Sequence, residues 1–153
     1  MKKEQMTNIF ILALAIIVLF GYLDAQQIIP WQQLENWEPY NTYVAPAIVN
    51  MWLIALAAIA ITYYIIKKDK SEAIGIFAAS YIMLMGGLQD VSFFVLSSNV
   101  MTSQMCWFEG THAIVSKLLG EACVTPLSLV INAVLFIGIA WFVLKWFFKQ
   151  KWR

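Results

Sequence analysis

The chain has 153 residues, 61% of them hydrophobic and only 12% charged, with a mean hydropathy of +0.72. A soluble domain carries about twice that charged fraction, so a water-soluble enzyme is excluded. A net charge of +1 gives no reason to expect nucleic acid as a partner.

The first apolar block covers 9–23, and Asn8 and Tyr22 continue it into an expected span at about 8–23. It is shorter than the roughly 20 residues that cross a bilayer, a mismatch that tilt or local thinning absorbs. Lys2 and Lys3 resemble the basic start of a secretory leader, but Leu23 and Asp24 make a poor cleavage site, so a retained span is expected. Asp24 closes this span. Between Pro30 and Pro39, Trp31, Leu34 and Trp37 recur every three residues among Gln32, Gln33, Glu35 and Asn36. That pattern predicts a short interfacial helix, an aromatic anchor or a lid over an outer pocket.

The second block, 47–66, predicts a span at 46–66, with Asn50 one turn after Pro46. A turn at 67–72 is short enough to force an antiparallel hairpin with the third block, 73–96, expected as a span at 73–97. Ala55, Ala57, Ala58 and Ala60 in one partner, and Gly75, Ala78, Ala79, Ser80, Gly86 and Gly87 in the other, read as close-packing faces. Asp90 lies 17 residues beyond Ala73, about 25 Å along a straight helix and near the far side of a hydrocarbon layer about 30 Å thick. Ionisable groups at such depth mark paired networks, pathways or ligand sites.

In the second outer segment, 97–125, Thr111 is placed to cap a helix beginning at His112. Ile114, Val115, Leu118 and Leu119 give that helix an apolar stripe, and Gly120 ends it. Cys106 and Cys123 flank it. A disulfide between them closes a loop of roughly 18 residues and constrains the unfolded chain by about 3 kcal/mol. Free buried thiols and metal ligation are the alternatives. The fourth block, 127–148, predicts a span at 126–148, with Trp146 and Trp152 as an inner aromatic belt.

Of the ten basic residues, all but Lys117 fall at the two termini or in the 67–72 turn, whereas Asp24, Glu35, Glu38, Glu109 and Glu121 lie in the other connections. The positive-inside rule then puts both termini in the cytoplasm of a multi-pass cell-membrane protein. The fold expected for 1–153 is one all-α membrane domain. It is a four-helix antiparallel bundle with an interfacial helix in the first outer loop and a disulfide-tied helix in the second.

Asp24, Asn50, Gln89, Asp90 and Asn132 share the outer depth, while the inner half is nearly bare of polar groups. Polar groups in lipid must find partners, so these residues predict a pocket open to the outer face, with Trp107 beside it as a ligand contact. Glu109 and His112 form an E-x-x-H pair above it, and with Asp90 they make a two-carboxylate, one-histidine set of the kind that holds a divalent metal ion. The expected function is a small membrane enzyme or binding protein for a lipid-soluble ligand or metal ion, with Asp90, Glu109 and His112 doing acid–base work. The alternative is an accessory subunit that docks on other membrane subunits, or on its own copies, through the outer loops. A transporter is disfavoured by the bare inner half. Enzyme and subunit stay open at this point.

Overall fold

A computed structural model describes residues 3–32, 45–96, 105 and 110–150. Among them the chain is helical, and the one bridge outside a helix joins Met105 to Val124 in antiparallel fashion. In chain order the helices are α1 (Lys3–Gln32), α2 (Ala45–Lys67), α3 (Lys70–Met85), α4 (Leu88–Leu96), a 3-10 turn at Gly110–Ala113, α5 (Ile114–Leu118) and α6 (Pro126–Gln150). Three of these are long and apolar enough to cross a membrane, and a fourth crossing is counted if α3 and α4 are taken as one bent span. The wide apolar surfaces, with Ile54 and Ile66 each 70% exposed, are what a helix facing hydrocarbon presents.

The core sits where α3 meets α1, α2 and α6, and its centre is Ile17, Leu56, Ile76, Met83, Ala140 and Leu144. Only 17% of the apolar window of α2 is buried, against 33% for α1 and α6, so α2 is the peripheral helix and packs chiefly on α3. The α2–α3 turn is tight for a local reason. Lys68 takes a left-handed φ of 56°, and the Asp69 side chain accepts the backbone N–H groups of Ser71 and Glu72 at 2.9 and 3.1 Å. That is an N-cap for α3.

Three expectations change here. Asp24 does not close the first span, because α1 continues to Gln32 and takes in Trp31. The remainder of the expected interfacial helix, from residue 33, lies outside the described residues. The third span is not straight. It breaks at Gly86 and Gly87, and α4 turns 69° from α3. Gly87 has φ +83°, a backbone that a side chain disfavours. Gly75 and Gly86 do serve as packing faces against α6, Gly75 with Phe148 and Leu144 and Gly86 with Phe136, but the break also falls at Gly86, and Gly87 makes the corner. A composition of small residues cannot distinguish these two uses. The depth assigned to Asp90 assumed a continuous helix and does not hold beyond the corner.

The outer-loop helix is also shorter than expected. It spans Ile114–Leu118, with Ala113 at its N-cap position and no side-chain cap. Thr111 does not cap it. Its Oγ1 is buried without a partner. The stripe divides as well: Val115 is buried, whereas Leu118 and Leu119 are 79% and 58% exposed.

Candidate functional site

Two polar sets meet at the α3–α4 corner. The first is sealed. Gly21 and Asp24 lie three residues apart on one face of α1, and Gln89, Ser92 and Phe93 share the facing side of α4. A Cβ on Gly21 would lie 2.5 Å from Ser92 Cβ and 2.6 Å from the Gln89 carbonyl oxygen, so the helices touch backbone to backbone there. This approach brings Gln89 Nε2 to Asp24 Oδ2, to which it donates. Trp52 Nε1 reaches across from α2 and donates to both Asp24 oxygens at 3.1 Å. Its ring stacks on Phe20 at 4.2 Å between centroids. Asp24 is 1% exposed, and its carboxyl ties α1, α2 and α4 together. Ser92 satisfies its hydroxyl by donating to the Leu88 carbonyl at 2.8 Å.

The second set is accessible. Asp90 is the next residue after Gln89, about 100° further round α4. His112 Nε2 lies 3.2 Å from Asp90 Oδ2, and each side chain is 24% exposed. Beneath them Asn132 of α6 donates from Nδ2 to the carbonyls of Gly86 and Thr111, both at 3.0 Å. One amide therefore fastens the broken helix end to the turn that carries His112. A carbonyl at a helix end has no partner within the helix, and Asn132 supplies one. A Cβ on Gly87 would stand 3.0 Å from His112 Cδ2, so glycine is required there for space as well as for φ.

The structure thus brings together Asp24 with Gln89, and Asp90 with His112 and Asn132. It does not bring Asn50, which is exposed on α2. Glu109, Trp107 and Cys106 lie outside the described residues. The expected three-ligand metal set includes Glu109, which lies outside the described residues. Among the described residues no group of three His, Cys, Asp or Glu side chains is gathered, and His112 turns Nε2 to Asp90. What remains is a carboxylate–imidazole pair, which orients the ring and can exchange a proton with a third group.

Sequence reasoning missed Trp52, Gly21 and Glu72. Trp52 sits inside an apolar run, where an indole is expected to act as bulk, and only its buried N–H signalled a need for an acceptor. Glu72 falls in the expected 67–72 turn, where no site residue is expected, yet it is 8% exposed and hydrogen-bonded across helices. No family model matches this chain, and no curated protein or solved structure is significantly similar to it.

Proposed function

We propose that this is a four-span antiparallel membrane protein whose third span is broken, and that it binds a lipid-soluble molecule bearing a hydroxyl or carboxyl group at the α3–α4 corner. Asp90 and His112 take the proton of that group or return it. One observation carries the reading: the Asp90–His112 pair is a quarter exposed on both sides, while Asp24, Gln89 and Asn132 around it are buried and hydrogen-bonded. Sealed groups set the frame, and the open pair is left to meet a ligand.

The test is binding of decylhydroquinone and of myristic acid to purified protein, followed by intrinsic fluorescence. Asp90→Asn and His112→Gln are each expected to weaken binding at least tenfold, about 1.4 kcal/mol, with melting temperatures within a few degrees of the parent. Unchanged affinity in both variants sinks the reading.

The outer loop is proposed to be held by a Cys106–Cys123 disulfide. Two observations support this. Cys123 has no free thiol, and the chain has two cysteines. In addition, Met105 donates its N–H to the Val124 carbonyl at 2.8 Å, an antiparallel bridge between the sequence neighbours of the two cysteines. Non-reducing peptide mapping should recover the two peptides as one linked species, and Cys123→Ser should lower the melting temperature. Recovery of two alkylatable thiols from unreduced protein contradicts the bond.

With the basic clusters inside, the Asp90–His112 pair faces outward and both termini are cytoplasmic. A cysteine placed at Thr102 in a Cys106→Ser, Cys123→Ser background should then react with an impermeant maleimide on intact cells, and one at Lys70 should not. The reverse pattern inverts the orientation.

Leu118 and Leu119 favour a second reading. Two adjacent, exposed leucines outside the long helices are a contact patch of the kind an accessory subunit would present. Under that reading Leu118→Ser with Leu119→Ser changes the native mass of the protein extracted from its own membrane and leaves ligand binding unaltered.

A further inference from the structure

At the other end of the molecule, where α2 passes into α3, a cleft of about 410 Å³ opens between α1 and the α2–α3 turn. One stripe of α1 lines it with Gln5, Asn8, Ile9 and Leu12, and the end of α2, the turn and the start of α3 supply Tyr63, Lys67, Asp69 and Glu72. The α1 positions follow i, i+3, i+4 and i+7, so they run along a single face. Over that distance, about 10 Å at the helical rise, the lining changes from amide to aliphatic. Leu12, at the apolar end, is 39% exposed. The polar end holds a fixed carboxylate. Glu72 is 8% exposed, accepts the Tyr63 hydroxyl on Oε2 at 2.7 Å and accepts Gln5 Nε2 on Oε1 at 3.1 Å.

Two accepted bonds leave a carboxylate with acceptor capacity, since its oxygens offer about four sites. Asp69 places a second negative charge close by and spends one oxygen on the α3 cap. Lys67 supplies the opposite charge. It is exposed, and among the described residues it forms no ion pair with either acid. A cleft with a buried carboxylate, an unengaged ammonium at its mouth and an aliphatic exit is matched to an amphiphile carrying both charges.

We propose that this cleft binds the headgroup of an ethanolamine phospholipid. The lipid ammonium donates to Glu72 with Asp69 behind it, the phosphate meets Lys67, and the acyl chain leaves along Ile9 and Leu12. A primary ammonium has N–H donors for a carboxylate that already receives Tyr63 and Gln5. A trimethylammonium has none and is wider. A lipid lacking the amine brings no positive charge to Glu72 and carries only negative charge towards two acids. A bare cation is repelled by Lys67 and makes no use of the aliphatic exit.

The test measures retention of added lipids by native mass spectrometry of the delipidated full chain in dodecyl maltoside. The probes are dioleoyl phosphatidylethanolamine, dioleoyl phosphatidylcholine, dioleoyl phosphatidylglycerol and glycerophosphoethanolamine, which is the headgroup without chains. Phosphatidylethanolamine is expected to bind at least tenfold more tightly than each of the other three. Glu72→Gln keeps the side-chain size and one acceptor oxygen for Tyr63, and it should abolish that preference while the fluorescence melt stays within a few degrees. Lys67→Gln, at an exposed position that does not threaten folding, should weaken phosphatidylethanolamine at least threefold. Equal retention of the three lipids means annular lipid only and overturns the proposal. Equal binding of glycerophosphoethanolamine overturns the amphiphile and points to a soluble phosphoamine. An ethanolamine preference unchanged in both variants overturns the residue assignment.

Discussion

Gly21→Ala is expected to destabilise the protein by about 1–3 kcal/mol or more, the cost of forcing atoms into a packed contact, although alanine is the better helix former. The new Cβ would stand 2.5 Å from Ser92 Cβ, 2.6 Å from the Gln89 carbonyl oxygen and 2.9 Å from the Phe93 amide nitrogen. Two of those three are backbone atoms, which cannot rotate away. The helices must separate, and separation pulls Gln89 from Asp24. The clash therefore costs twice, once in packing and once in a buried hydrogen bond. Gly138→Ala is the control, because nothing lies within 4 Å of its Cβ position. It should leave the melting temperature unchanged or raise it slightly. Detergent melts followed by tryptophan fluorescence decide the matter, and matched midpoints for the two variants would show that α1 and α4 do not approach as described.

Asp24→Leu should be the most damaging single change to a polar side chain. It leaves the Trp52 Nε1–H and the Gln89 amide without their acceptor in a sealed site, and each orphaned buried donor costs about 1–3 kcal/mol. Hydrogen bonds between membrane helices average only about 0.6 kcal/mol when both partners are removed. The orphaning term therefore dominates, and Trp52→Phe, which removes one donor and leaves Gln89 on the carboxyl, should be milder in this respect. Asp24→Asn should fall below Asp24→Leu because it keeps one acceptor. Unfolding by increasing SDS fraction would measure the order. A smaller loss in Asp24→Leu than in Asp24→Asn would mean that the carboxyl is a burden on the fold, not a tie.

The all-helical class and the presence of helices long and apolar enough to cross a membrane were legible because they depend on composition and length. So was the gathering of polar residues, and Asp24, Gln89, Asp90, His112 and Asn132 do meet in two adjoining groups. The corner between α3 and α4 was not legible. Hydropathy is blind to φ, and Gly86–Gly87 reads the same whether it lines a packing face or turns the chain. Straight-helix arithmetic then misplaced Asp90. Asn50 matched the others in depth but not in direction, because depth is one coordinate and the rotation of a helix about its axis is another. Glu72 was missed for the opposite reason. A carboxylate three residues after an N-cap is locally ordinary, and its burial depends on Gln5, 67 residues away in sequence.

The corner also bears on how the protein is made. Residues 70–96 meet the insertion machinery as one stretch, since sorting into the bilayer follows hydrophobicity rather than backbone angle. The carbonyl of Gly86 takes up Asn132, a residue synthesised 46 positions later. Until the last helix arrives, the nascent chain carries either an unbent segment or an open backbone group in lipid, and the latter costs several kcal/mol. The Gly86–Asn132 tie is therefore the late part of the corner, made when α6 docks, whereas the contacts of α4 with α1 need only residues already synthesised.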